Sequence, residues 1–149
     1  MSLQSAREFL STHGWLSLTP LSFQNAVFAR CIIVTFKRGA YIYRLSDPAG
    51  GLYGLSSGHV AVEGLPPEGD PLVGDLLPPG AWCGEAAFVT QQVRRVGIRA
   101  ASDCEALLLP AADLRNIMKT EDEAWRFLGL LAVLNTDRAM LVALNLLVR

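Results

Sequence analysis

Histidine and cysteine are scarce in this chain, two and three among 149 residues, and that scarcity bounds its chemistry. Cys31, Cys83 and Cys104 are widely spaced, with no C-x-x-C pair and no neighbouring histidine. A structural metal, a haem or iron–sulfur site and a disulfide framework are therefore not expected. The three read as reduced core thiols of a cytoplasmic protein. A metal enzyme on a small β-barrel needs several histidines and a carboxylate converging on one ion, whereas His13 and His59 belong to unrelated segments and read as surface or satisfied residues. No Ser/His/Asp or Cys/His arrangement stands out, so no enzyme and no metal are expected.

An excess of charge of one sign is also lacking. Thirteen Lys and Arg stand against 14 Asp and Glu, a formal charge of -1, which gives no pull on a phosphate backbone and argues against a nucleic-acid surface. The N-terminal residues carry charges where a signal peptide needs an apolar run. The most apolar stretch, Phe127 to Leu134, is broken by Asn135-Thr136-Asp137-Arg138, so no membrane-spanning helix is expected.

What is abundant is apolar surface, with 51% of residues hydrophobic. That is more than a monomer of one domain readily covers, and it points to burial against another subunit. Residues Ser5 to Thr12 predict a short opening helix stopped at Gly14, and Trp15 to Ala26 reads as loop or further short helix. From Cys31 the period shortens. Ile32, Val34 and Phe36, then Tyr41 to Tyr43, Leu52 to Leu55, His59 to Glu63 and Leu72 to Leu77 predict strands. Turns lie at Lys37 to Ala40, Asp47 to Gly51, Ser56 to Gly58, Pro66 to Asp70 and Pro78 to Gly80. Alternation resumes at Val96, Ile98 and Ala100, and at Ala106 and Leu108. Short strands so spaced indicate an antiparallel barrel or sandwich.

Beyond Pro110 the residues are helix formers, at Asp113 to Ile117 and at Glu121 to Arg149. In the last segment Phe127, Leu134, Leu141 and Val148 recur every seven residues, while Leu128, Leu130, Val142 and Leu144 make other faces apolar. Such a helix packs one face on its own domain and another on a partner helix, or else is a buried core helix. Trp15, Trp82 and Trp125 read as core or interface anchors.

The most specific stretch runs from Pro79 through Gly84-Glu85-Ala86-Ala87-Phe88 to Arg94-Arg95. Gly84 allows close approach of backbone or ligand, and Glu85 to Phe88 can begin a short helix with free amides. A guanidinium from Arg94 or Arg95, on the strand after the loop, supplies charge and a two-pronged donor. Glu85 repels phosphate but accepts hydrogen bonds from sugar hydroxyls. Taken alone, Glu85 and Arg94 read more readily as a structural ion pair on a hairpin than as ligand contacts.

The run Gly84-Glu85-Ala86-Ala87 with Arg94 resembles the phosphate-binding cassette of cyclic-nucleotide-binding domains, and Phe36, Gly39 and Gly58 fall at that family's barrel landmarks. The resemblance covers nearly the whole chain and is greatest to the sensor half of bacterial CRP/FNR-type transcription regulators. It implies a mainly β fold with helices over residues 1–149: an antiparallel β-roll or jelly-roll barrel at about 27–110, a short N-terminal helix, and a long C-terminal dimerisation helix at about 121–149. It implies Arg94 as partner of the cyclic phosphate, Glu85 as partner of the ribose 2′-hydroxyl, and backbone from Gly84 and Ala86. Asn135 and Thr136 fall at the depth of the base. Where the family often has a small residue after the cassette arginine, this chain has Arg95, and Gly97 stands where a side chain usually packs. The implied ligand is cAMP, with cGMP the lesser choice, and there is no other cofactor. The implied partners are a small-molecule effector, a second copy through the C-terminal helix, and DNA only through a helix-turn-helix domain that this chain lacks. The alternative is the same fold answering another small molecule or none, as a dimerisation module.

Overall fold

The structure is a computed structural model and describes residues 2–66, 68–70 and 72–148. Pro67, within the expected Pro66 to Asp70 loop, and Arg149, at the expected end of the last helix, lie outside the described residues.

The chain opens with helix α1 (Leu3–Thr12), whose Ser2 hydroxyl accepts from the Ser5 amide at 3.1 Å as an N-cap. A 3₁₀ turn (Trp15–Leu18) and helix α2 (Leu21–Phe28) occupy the segment whose sequence left loop and helix open. Eight strands follow: β1 (Ile32–Phe36), β2 (Tyr41–Tyr43), β3 (Leu52–Ser57), β4 (Val60–Gly64), β5 (Leu72–Leu77), β6 (Trp82–Cys83), β7 (Gly97–Ala100) and β8 (Cys104–Leu109). Helix α3 (Glu85–Thr90) interrupts them after β6, and α4 (Ala111–Thr120) and α5 (Ala124–Leu147) close the chain.

The strands form two four-stranded antiparallel sheets, ordered β1-β8-β3-β6 and β2-β7-β4-β5. This is the antiparallel barrel with flanking helices that the alternating pattern predicts. Two apolar clusters follow from the alternation. On β8, Leu107 and Leu109 face α1, α2, α4 and α5 in the larger cluster, while Cys104 falls in the cluster between the sheets. Ile98 and Ala100 of β7 meet it there, and Arg99 points out.

In β1, Phe36 packs into the inter-sheet cluster, but Ile32 and Ile33 are exposed. The reason is topological. β1 is an edge strand, and no layer covers its start. Arg94, Arg95 and Val96 also differ from expectation, lying in the loop ahead of β7 rather than on a strand.

Helix α5 divides along its length rather than between opposite faces. Ala124, Phe127, Leu128 and Leu131 are buried in the larger cluster, and Phe127 O accepts a hydrogen bond from Trp15 Nε1 at 2.7 Å. Beyond Leu134 the apolar residues lose cover, and Leu141, Leu144 and Leu147 are exposed. By length and composition α5 would also span a bilayer, but Asn135 and Arg138 in its middle bond to the barrel.

Candidate functional site

The site begins where β6 turns into α3. Gly84 takes φ 111, and a Cβ there would lie 2.4 Å from Gly51 O, so both its conformation and its neighbour require glycine. The turn swings Glu85 inward at the head of α3. At the other end Gln91 adopts the left-handed region with φ 57 and stops the helix.

The returning loop is pinned by its own backbone. Arg94 N donates to Asp47 O at 2.8 Å, and Ser46 N donates to Arg94 O at 2.8 Å. This fixes the Arg94 side chain inward, where it is 4% exposed. Its Nη1 donates to Gly84 O at 2.9 Å and its Nη2 to Gly51 O at 3.1 Å. The guanidinium lies over the Tyr43 ring, 4.0 Å from the centroid. Its buried Nε has no hydrogen-bond partner, an unusual state for a charged donor out of water.

Glu85 is also buried, and its Oε1 accepts from Asn135 Nδ2 at 2.8 Å. Burial raises its pKa above the usual carboxylate value, while the Asn135 hydrogen bond and the nearby Arg94 charge pull the other way. Glu85 and Arg94 are not in ion-pair contact; each has its own partners. Burial raises the Tyr43 phenol and pushes the Cys83 thiol up to about 12, so both are neutral in the wall.

Helix α5 forms the opposite wall. Asn135 Nδ2 also donates to Trp82 O at 3.0 Å, and one turn on Arg138 grips β5 through both Asp75 oxygens and Leu76 O. The Arg138 guanidinium holds the Asp75 carboxyl below its ordinary value. Between the walls lies a cleft of about 660 Å³, within the size range of small-molecule sites.

All seven sequence-derived candidates line this one cleft: Gly84, Glu85 and Ala86 from the cassette, Arg94 and Arg95 from the loop, Asn135 and Thr136 from α5. Arg95 and Thr136 are exposed where they do so, and Arg94 is buried. Tyr43, Asp75 and Arg138 also line it and were not among the candidates. Only the break in apolarity at Arg138 marked that residue. Of the tryptophans, Trp15 and Trp82 are core, 5.6 Å apart edge to face, but Trp125 is 57% exposed against Phe88 of α3.

Residues 33–121 match the cyclic nucleotide-binding domain. The chain belongs to that family. The matched stretch contains the whole cassette, from Gly84 to Arg94. No curated protein matches the chain. Among solved structures it is similar to a Ruegeria pomeroyi protein described as cyclic nucleotide binding, at 16% identity and TM-score 0.76, covering 97% of this chain and 64% of that one. It is similar to the sensor domain of the transcriptional regulator DNR from Pseudomonas aeruginosa, at 20% identity and TM-score 0.70, covering 95% of this chain and 93% of that one. It is also similar to the regulatory domain of Toxoplasma gondii PKA crystallised with cAMP, at 18% identity and TM-score 0.76, covering 91% of this chain and 50% of that one. At these identities the likeness is one of fold. The chain spans less than two thirds of the length of the first and the last of these.

Proposed function

We propose that this cyclic-nucleotide-binding domain is the effector-sensing and dimerisation part of a cytoplasmic CRP/FNR-type transcription regulator. It takes a cyclic nucleotide into the cleft and relays binding through α5, without catalysis. DNA contact belongs to a separate helix-turn-helix domain. The observation that carries the reading is Arg94: a buried guanidinium beside the Gly84 turn with an unpartnered Nε, on the same wall of the cleft as the Glu85 carboxylate, which can accept sugar hydroxyls. A cyclic phosphate answers the first and a ribose 2′-hydroxyl the second.

The base falls to Asn135 and Thr136. Thr136 offers a hydroxyl that both donates and accepts, and Asn135 keeps its carbonyl oxygen for a donor on the base. An adenine amino group is met by that acceptor; guanine offers donors as well, so cAMP is the preferred reading on the family resemblance and not on this contact.

A second copy is the natural cover for the exposed end of α5, where Leu141, Leu144 and Leu147 are open to solvent. A dimerisation module with no ligand fits less well, since its cassette would be filled by its own side chains. The test is competition of a fluorescent cAMP analogue by cAMP and cGMP. Displacement by cAMP at lower concentration supports the reading, and no saturable binding of the analogue rejects it.

A further inference from the structure

Gly97 stands on β7 where a side chain usually packs, and it does not line the cleft. The outer face of the sheet β2-β7-β4-β5 shows what its bareness allows. A bulge in β2 between Tyr41 and Tyr43 turns these two rings to opposite faces, Tyr43 inward beneath Arg94 and Tyr41 outward beside Arg99. The Tyr41 ring then crosses β7 over Gly97, where a Cβ would come within 3.6 Å of it, and its hydroxyl donates to Glu63 Oε1 on β4 at 2.7 Å. That bond raises the Tyr41 phenol above its ordinary value, so the hydroxyl stays protonated and donating.

Around this crossing lies another cavity, of about 220 Å³, lined by Tyr41, Arg44, Leu45, Glu63, Gly64 and Gly97. It is smaller than the roughly 300–1,000 Å³ of drug-sized sites. Two charges of opposite sign line it. The Arg44 guanidinium lies over the Tyr41 ring at 4.3 Å and has no hydrogen bond or ion pair among the described residues, so its donors are open. Glu63, with its side chain 14% exposed, gives one lone pair to Tyr41 and meets Arg99 Nη1 only at 3.9 Å. Acceptor positions on it remain. A simple anion entering here is repelled by the Glu63 carboxylate, and a simple cation by Arg44 and Arg99. A small molecule with one charge of each sign suits both walls: its carboxylate takes the two-pronged contact of Arg44, and its ammonium donates to Glu63.

We propose that this outer cavity is a binding site for a small free amino acid, separate from the cleft and independent of the nucleotide reading. The site backs onto the cassette. Arg44 opens the turn whose Asp47 O and Ser46 N pin the Arg94 backbone, and its own amide donates to Asp47 Oδ2 at 2.8 Å. A bound amino acid thus holds the far side of the turn that sets Arg94, without entering the cleft.

The experiment is a set of proton–nitrogen NMR titrations of the full chain with glycine, L-alanine, L-serine, β-alanine and γ-aminobutyrate, beside propionate and propylamine, which carry one charge each. The expected result is saturable movement of the Leu45, Gly64 and Gly97 amide signals by at least one amino acid, with affinity about tenfold or more above both one-charge compounds. Arg44→Ala and Glu63→Gln each lower that affinity about tenfold or more, and Arg44→Lys, which keeps the charge without the fork, loses less. Arg44 is exposed and Glu63 lies on the outer face, and unchanged signals from the core residues Leu107 and Leu114 show that each variant is folded. No saturable movement at millimolar concentrations overturns the proposal, as does equal affinity for propionate or propylamine. Affinity unchanged in Arg44→Ala or in Glu63→Gln also overturns it. Movement centred on Gly84, Glu85 and Ala86 instead places the ligand in the cleft and overturns it too. Each of these outcomes leaves the nucleotide reading standing.

Discussion

Asn135 Nδ2 lies 2.8 Å from Glu85 Oε1, so the last helix is fastened directly to the buried carboxylate of the cassette. A ribose hydroxyl that donates to Glu85 competes with this bond. Site occupancy and the seating of α5 are thereby linked through one amide. Replacing Asn135 by Ala leaves a buried carboxylate short of a donor and costs about 1–3 kcal/mol of stability. Urea unfolding of Asn135→Ala against the native chain measures this.

Glu85 gives the protein a specific pH dependence. Its folded value is raised above the ordinary 4.5, so in the window just above 4.5 the folded chain holds a proton that the unfolded chain has released. Stability from this group is full below 4.5 and falls as pH rises through the folded value. Glu85→Gln has no such titration. Relative to native, it is predicted to gain stability as pH rises from about 4 to 7, measured by denaturant unfolding at each pH. Ligand hydroxyls favour the ionised carboxylate, so nucleotide affinity is expected to rise over the same window.

Asp75 has the opposite sign. The Arg138 hydrogen bonds lower its value below 3.8, so its contribution is present above 3.8 and lost as pH falls through the lower, folded value. The pair is partly open to solvent, with Arg138 46% and Asp75 23% exposed, so screening keeps its worth to about 0.5–1 kcal/mol. Asp75→Asn is predicted to lose that amount near pH 6 and nothing once both states are protonated. Thermal unfolding at the two pH values distinguishes these outcomes.

The free end of α5 predicts assembly. Leu141 and Leu144 are 62% and 52% exposed, whereas Leu134 packs partly against the larger core. Leu141→Asp with Leu144→Asp therefore separates association from folding better than a change at Leu134. Mass in solution is expected to drop from dimer to monomer with unchanged circular dichroism.

Gly84 is predicted to tolerate no side chain. Its φ of 111 and the 2.4 Å approach of a Cβ to Gly51 O make Gly84→Ala strained by about 2 kcal/mol or more. The loss is read from the unfolding midpoint.

Strand positions were legible in the sequence because the β7 pattern, with Ile98 and Ala100 in and Arg99 out, follows from burial on one face. The cassette was legible for a different reason: a left-handed turn at Gly84 and a carboxylate directly after it leave a local signature. The strand at Ile32 was legible but its exposure was not, because alternation does not say which strand lies at a sheet edge. The grip of Arg138 on Asp75 joins residues 63 positions apart, and neither carries a local mark of its partner. The division of α5 into a docked and a free half was hidden too, since Phe127 and Leu141 share a heptad position and differ only in what the barrel reaches.

The account turns on Arg94 as the anchor of a cyclic nucleotide, and calorimetric titration with cAMP of the native chain beside Arg94→Ala and Arg94→Lys tests it most directly. Saturable single-site heat is expected from the native chain. A loss of about 100-fold or more is expected in Arg94→Ala, and a smaller loss in Arg94→Lys, which keeps the charge without the fork. Equal affinity in native and Arg94→Ala, with both folded, would contradict the account, as would a native chain that shows no heat with cAMP or cGMP at high protein concentration.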